Sequence, residues 1–559
     1  MSLNAAILFE PDAYLLSEPK LMGRQAAGNS FLRAAVAACD GQSLYAYTPH
    51  QKSAAIFANL VQTIEPTATA QWIPADRLDL LNQIGTLYLP GPGLDEAAKL
   101  RLRAGSAAYS LVGVTHTTAS HRAMDAITRL LSAPVMPWDA LICTSTAVLD
   151  TVKILLNAEI EALRERFGSQ IQITLPQFPV IPLGIHCDDF NFTEENRANA
   201  RKALNIETDE IVLVFVGRLS FHAKAHPHAM YLAAQEVAKS TGKKITLVQC
   251  GWFGNDAIQA SFVEGAAQFC PDVRAIFVDG RIPELARHSW AGADIFISLS
   301  DNIQETFGIT PIEAMAAGLP VIVSDWNGYK DTVRDGIDGF RIPTFMPPPN
   351  LGENFAKSHE AGTVNYDIYC GLICQTISIS MEALVEKITM LVENPDLRQK
   401  MGNAGKVQAR THFDWSVIYK KYQTLYAELQ TVRHSAQQDE VWQKKLNAAP
   451  PIASNRLDPF YSFGHYPTTL IQPQTVVTLQ ANGTLENYSE LIKNPLFNYA
   501  TQVLPSVAMV EKIVTTLNSQ NLTINELSQK ADINLGTAVL AVAVLAKMDL
   551  VRFYPNTQE

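Results

Sequence analysis

Glu305 and Glu313 stand eight positions apart in the stretch QETFGITPIEAMAAGLP, which begins at Gln304 and runs on into the apolar VIVSD. Glu313 lies within an apolar pattern of helical period. Thr310-Pro311-Ile312-Glu313 fits a capping box with proline near the first helical position, so Glu313 is either a helix cap or a ligand group. Glu305 precedes the helix and is beyond the reach of that explanation; its alternative is an ordinary loop carboxylate. Gly308, within Phe307-Gly308-Ile309-Thr310, leaves backbone amides free at the helix start, where an anion is favoured. A loop carboxylate, an anion-binding helix start and a second carboxylate in the first turns can cradle a nucleotide sugar, with phosphates at the amides and hydroxyls at the glutamates.

These groups need elements to hold them. AAILFEP, SLYAYTP, TLYLPG, AYSLVGVTH and DALICTS read as buried strands separated by helical patterns. From Glu210 a second alternating series follows, with strands in EIVLVFVGR, KITLVQCG, VRAIFVDG, ADIFISLS and PVIVSD. Strand–helix alternation predicts parallel sheets covered on both faces, with ligands at the carboxyl ends of the strands. The chain therefore divides into a Rossmann-like domain over 1–190, a second over 191–432, a linker over 433–467 and a C-terminal module over 468–559. Residues 344–381, with three consecutive prolines, read as an inserted long loop at the surface. In the module, Asn482-Gly483 between strand-like runs is a hairpin signal. The helix–turn–helix rhythm that follows reads as winged-helix-like α+β.

Composition excludes several classes. A net charge of −11 argues against bulk affinity for nucleic acid. The last apolar helix, LGTAVLAVAVLAKM, lacks the basic face that DNA requires and reads as a buried or partner-binding helix. No window is a transmembrane segment. The seven cysteines are scattered, as suits a reducing cytoplasm. His222, His226 and His228 share a loop without an acidic or cysteine ligand, so no metal is expected.

The Glu305–Glu313 pair matches the E-x7-E motif of the retaining GT-B glycosyltransferases, specifically glycosyltransferase family 4. The surrounding SLSDNIQETFGITPIEAMAAGLPVIVSDWNGYKDTVRDGIDGFRIP resembles that family's core signature. VFVGRLSFHAKAHP resembles its strand and loop bearing an arginine and a lysine, and VIPLGIHCDDF the segment closing its N-terminal domain. The resemblance covers roughly residues 1–430. It implies a GT-B fold, two doubly wound Rossmann-like domains facing a cleft, and residue roles that follow the motif. Glu305 would contact hydroxyls of the donor sugar and Glu313 the ribose. Arg218 and Lys224 would bind the diphosphate, together with the amides of Gly308, Ile309 and Thr310 beside Phe307. His116, in GVTHTTASHRAM, would face the donor sugar from the first domain, with His121 its competitor. Gly28, and more weakly Gly23, would stand for the glycine loop near the donor phosphates. Asp279, Gly280 and Arg281 would lie at the nucleotide base.

The activity so implied is retaining, metal-independent transfer of a hexosyl unit from a nucleotide diphosphate sugar to an acceptor hydroxyl, with no cofactor. The acceptor is expected to be a saccharide in polysaccharide or surface-glycan synthesis, or a protein recruited by the C-terminal module, which could also carry an oligomer contact. A nucleotide-sugar-binding scaffold without turnover is the alternative, against which the full set of Arg218, Lys224, Glu305 and Glu313 speaks. A change of reaction on the same fold, epimerase or phosphorylase, lacks a supporting signature.

Overall fold

The computed structural model describes residues 4–15, 23–518 and 520–554. They form two units, Met1–Ser454 and Asn455–Glu559.

The first unit holds two six-stranded sheets. Strands β1 (Ala6–Leu8), β2 (Leu44–Tyr47), β3 (Ala70–Ile73), β4 (Thr86–Leu89), β5 (Ser110–Val114) and β6 (Ala140–Ile142) form one, in the order β3-β2-β1-β4-β5-β6. Strands β7 (Ile211–Val216), β8 (Ile245–Gly251), β9 (Arg274–Asp279), β10 (Ile295–Ser298), β11 (Val321–Ser324) and β12 (Gly339–Ile342) form the other, in the order β12-β11-β10-β7-β8-β9. Every pairing within both sheets is parallel. Numbered within its own domain, the second order is the first read from the other edge, so both are doubly wound sheets of Rossmann order with a switch point beside the first strand. Central strands β4, β5, β8, β10 and β11, and the edge strand β6, are buried throughout, which is why they appear in the sequence as apolar runs. Edge strand β3 exposes Gln71 and Trp72 and escapes that pattern.

A long helix, Trp415–Gln438, returns from the second domain to the first. Its apolar face repeats at helical spacing through Trp415, Ile418, Tyr419, Tyr422, Leu425, Tyr426 and Leu429, and packs with Phe31, Leu32 and Tyr88 of the first domain. Where the chain crosses, the Ile185 amide donates to the Phe413 carbonyl and the Trp415 amide to the Ile185 carbonyl, both at 2.9 Å. The helix corrects the expected linker start at 433. Arg433 is buried and donates to the Gly85 carbonyl and to Ser110 Oγ, and Ala436 is buried near Trp138, so order continues through a second helix, Glu440–Ala448.

Residues 344–381 are likewise corrected from a long loop. Two short antiparallel strands, Thr344–Phe345 and Ser378–Ile379, form a neck, and helices Glu353–Glu360 and Tyr366–Cys374 fold beyond it. The prolines stay outside regular structure. Asn365 caps the second helix by accepting from the Ile368 amide, and Cys370 and Cys374, one turn apart, are buried.

In the second unit, Val476–Leu479 pairs antiparallel with Leu522–Thr523 and Val551–Tyr554, around helices Leu485–Leu491, Val507–Leu517, Ile524–Ala531 and Leu535–Lys547. Asn482-Gly483 turns the chain into the helix capped by Thr484, which accepts from the Asn487 amide; the expected hairpin is absent because the partner strands lie some forty residues and more downstream. The apolar helix Leu535–Lys547 buries Ala538, Ala541, Val542 and Leu545. Among the described residues no single helix is long and apolar enough to cross a membrane.

The first sheet is pinned by a fully buried ion pair. Asp139 accepts from both Arg101 terminal nitrogens, at 2.5 and 2.7 Å, and from the Leu111 and Met136 amides at 2.8 Å. Removing one side leaves the other charge stranded, so Asp139→Asn is expected to lower stability by about 3–5 kcal/mol in a urea titration. An unchanged midpoint would contradict that weight.

Candidate active site at the strand ends of the second sheet

Two loops leave the carboxyl ends of neighbouring strands. The first follows β7 and carries Arg218 and Lys224; the second follows β10 and carries Glu305. They are tied together beneath the side chains. Ser300 Oγ donates to the Lys224 carbonyl at 3.2 Å, and Asn302 Nδ2 donates to the His222 carbonyl at 2.7 Å. Asn302 is fully buried, accepts from the Gln304 amide and, through its carbonyl, from Trp326 Nε1. Asn327 Nδ2 donates to the Glu305 carbonyl, with Asn327 itself at φ +47°. These asparagines, and the Trp326 indole, fix the loop that presents Glu305.

Across the two loops Lys224 Nζ is ion-paired with Glu305 Oε2, with side-chain exposures of only 24% and 11%. Burial alone would push the Glu305 carboxyl up. The Lys224 charge and hydrogen bond, with the Phe307 and Thr306 amides at 3.4 and 3.2 Å, outweigh it and hold Glu305 below the ordinary carboxylate value. Burial would likewise lower Lys224, and the Glu305 charge turns its net shift upward. Both groups therefore stay charged at neutral pH. Arg218 is partly buried beside them and donates from Nη2 to the Ala223 carbonyl at 3.2 Å.

The helix after Glu305 is Ile309–Ala316, with Gly308 as its N-cap and no side-chain cap bond. This replaces the capping-box reading: Thr310 is already the second helical residue, so Glu313 sits in the second turn, out of reach of the N-cap. Gly308 has φ +89°, and a Cβ there would lie 2.1 Å from the Tyr329 ring, so neither conformation nor space admits a side chain. Without a cap, the first-turn amides keep their positive end open toward the loop. Thr310 Oγ1 is buried without a hydrogen-bond partner. Glu313 is partly exposed and, among the described residues, has no hydrogen-bond or ion-pair partner. Burial raises its carboxyl to about 7, against a lowering by Lys224 and a further rise from Asp189.

The first domain reaches this cluster from its own strand ends. Ser145, just past β6, donates from Oγ to the Thr306 carbonyl at 2.7 Å, and the Thr146 amide donates to Asp331 Oδ2 at 2.6 Å. His116, just past β5, is half-buried, with Nε2 3.2 Å from the Pro90 carbonyl. Its competitor His121 is turned to the insertion and stacks on His359 at 3.9 Å.

Three expected residues have local tasks. Gly28 lies inside helix Gly23–Ala37, which corrects the expected loop, and a Cβ would sit 2.1 Å from the Ala13 carbonyl, so its bareness serves close packing. Arg281 is exposed and doubly bonded to Asp279, at 2.9 and 2.8 Å. Gly280 crosses β8 closely, where a Cβ would come within 3.1 Å of the Gly251 Cα. His222, His226 and His228 do not converge, and among the described residues no group of three or more histidine, cysteine, aspartate or glutamate side chains is placed to hold a metal. Sequence reading missed Ser145, Asn302, Trp326, Asn327 and Tyr329. Only Asn327-Gly328 carried a signal, since Asn-Gly after a strand favours positive φ.

Residues 196–351 match the family model for glycosyl transferases group 1, a segment that contains every member of the cluster from Arg218 to Glu313. The D-inositol 3-phosphate glycosyltransferase of Nocardia farcinica is 29% identical over 165 residues, covering 29% of this chain and 36% of that protein. The spore coat protein SA of Bacillus subtilis is 23% identical over 241 residues, 42% of this chain and 53% of that one. The chain thus spans from about a third to about half of the length of these curated relatives. Among solved structures, Anabaena HepE in complex with UDP is 15% identical, covering 76% of this chain and 100% of that one at a TM-score of 0.49.

The Glu313 environment makes a pH prediction. The folded carboxyl keeps its proton to about pH 7, whereas an unfolded one releases it near 4.5. Folding therefore retains a proton between those values, and this group's stabilisation is full below the lower one and lost as pH rises through the upper one. Glu313→Gln, neutral throughout, is expected to gain thermal stability relative to the parent between pH 5 and pH 8. A pH-independent difference in melting temperature would contradict this.

Proposed function

We propose that this chain is a retaining glycosyltransferase that moves a sugar from a nucleotide diphosphate sugar to the hydroxyl of a saccharide acceptor, in polysaccharide or surface-glycan synthesis. The observation that carries the reading is the half-buried Lys224–Glu305 pair beside an uncapped helix start, at the carboxyl ends of a doubly wound sheet. A diphosphate entering there meets Arg218, Lys224, the amides of Gly308, Ile309 and Thr310, and the unsatisfied Thr310 hydroxyl. It takes Lys224 away from Glu305. The freed Glu305 carboxylate then accepts hydroxyls of the donor sugar, so the charge partner of the ligand-free site becomes a sugar ligand when the site fills.

Glu313 lies one to two helical turns further on and takes the ribose hydroxyls, while Gly280 and Arg281 border the base. His116 faces the sugar from the first domain. Departure of the nucleoside diphosphate develops charge on its terminal phosphate, which the two cations and the helix amides stabilise without a metal ion. The acceptor hydroxyl attacks from the face the phosphate leaves, gives its proton to the departing phosphate oxygen, and the sugar keeps its configuration. Glu305 is an orienting group in this scheme: released from Lys224 it still accepts from the Thr306 and Phe307 amides and binds sugar hydroxyls, and the transfer uses none of the paired-carboxylate chemistry of glycosidases.

From Val507 the C-terminal unit runs helix, strand, helix, helix, strand, which we read as winged-helix-like, and we assign it a docking role because its apolar helix Leu535–Lys547 offers no basic face.

The test is nucleotide release from individual UDP, GDP and ADP sugars by the full chain. One donor should be consumed, and Lys224→Ala should slow its turnover by about 10²–10³-fold. Turnover unaffected by that substitution would reject the site, and absence of both turnover and donor binding across the panel would reject the activity.

A further inference from the structure

The inserted helices at 353–374 touch both walls of the cleft. On the second domain they sit on the loop that carries Arg218 and Lys224. Cys374 Sγ donates to the Phe221 carbonyl at 3.5 Å, and Gly371 packs so closely that a Cβ would lie 3.1 Å from that of His222. On the first domain, Tyr366 OH is 3.2 Å from Thr117 Oγ1, and the His359 ring stacks on His121 at 3.9 Å. His359 is itself held from behind by the Tyr369 ring at 4.6 Å and the Val364 carbonyl at 3.2 Å. Thr117 is the neighbour of His116, and its Oγ1 accepts from the Ala119 amide in the turn that leads into helix His121–Thr128.

The insertion therefore runs from two residues before Lys224 to the residue after His116. Neither domain's sheet needs it: both helices lie outside the two sheets, and the first buries no residue. Two contacts, one polar and one aromatic, both partly open to solvent, join it to the first domain. Such contacts are weak enough to open and reclose during turnover, unlike the apolar packing of helix Trp415–Gln438.

We propose that the 353–374 helix pair is a strap across the cleft, and that Tyr366 and His359 are positioning residues that hold the His116 loop over the donor sugar and keep bulk water from it. This rests on the transferase reading above. A strap that closes over the reacting sugar favours transfer to the acceptor over loss of the sugar to water. It acts through Thr117 and His121 and touches no reacting atom.

Two measurements on the full-length chain test it. Hydrogen exchange is compared between the parent and two variants, Tyr366→Phe and His359→Ala, both at partly exposed positions with little cost to folding. Exchange should quicken in residues 115–121 as well as in 353–374; unchanged protection of 115–121 would overturn the strap. With the donor found in the nucleotide-release panel, both variants should shift product from transferred sugar to free sugar by about tenfold while the donor KM stays within about twofold. An unchanged partition, with 115–121 loosened, would overturn the positioning role. If the parent chain neither turns over nor binds any donor, the transferase reading fails, and the exchange comparison alone still decides whether the strap exists.

Discussion

A charged pair withheld from water is the constraint around which the second domain is arranged. Bringing Lys224 and Glu305 together at 24% and 11% side-chain exposure costs desolvation that their attraction repays only when the remaining lone pairs and protons are satisfied. The loop after β10 supplies that satisfaction through the amides of Thr306 and Phe307. It can do so only because Asn302, Trp326 and Asn327 hold its backbone, and because Gly308 turns at φ +89° against the Tyr329 ring. A charged pair of this kind would be a cost in an apolar core. Here it lies at the mouth of a sheet, where an incoming anion can replace one partner.

The second requirement is that two separately folded sheets face one another with small freedom. The crossing at Ile185 and Phe413–Trp415 is a backbone-paired joint, and helix Trp415–Gln438 carries a broad aromatic surface back onto the first sheet. Contacts at the mouth are polar: Ser145 to Thr306, Thr146 to Asp331 and, through the insertion, Tyr366 to Thr117. Firm packing at the joint and light hydrogen bonding at the mouth is the division expected of a cleft that opens for its ligands.

Legibility in the sequence followed burial. Strands closed on both faces, such as Leu111–Val114 and Val321–Ser324, are continuous apolar runs and could be read directly. Edge strand Ala70–Ile73 turns Gln71 and Trp72 outward, and its run breaks. The helices of the insertion were hidden by three prolines nearby and by buried cysteines that do not stand out as a hydrophobic face. Glu313 shows how a local pattern can mislead. Thr-Pro-Ile-Glu has the composition of a cap, yet the positive φ of Gly308 starts the helix two residues earlier and moves the carboxylate inward. Asn482-Gly483 is a sound turn signal whose partner strands lie far downstream, which short-range reading cannot supply. Of the cluster's own members, Glu305 stood out because no helix cap accounts for it, whereas Arg218 and Lys224 stood out only through the family resemblance; the asparagines that hold the loop did not, being ordinary in type and set by tertiary contacts.

The central claim is that the Lys224–Glu305 ion pair is exchanged for donor contacts, and calorimetric binding of nucleoside diphosphates and their glucose conjugates measures it most directly. In the parent chain Lys224 must leave Glu305 to reach phosphate. Glu305→Gln should therefore tighten binding of the free nucleoside diphosphate while weakening its preference for the sugar conjugate, and Lys224→Ala should weaken both. If Glu305→Gln weakens the diphosphate and its conjugate alike, or if neither substitution changes binding, the exchange of partners does not occur and the pair is a structural one.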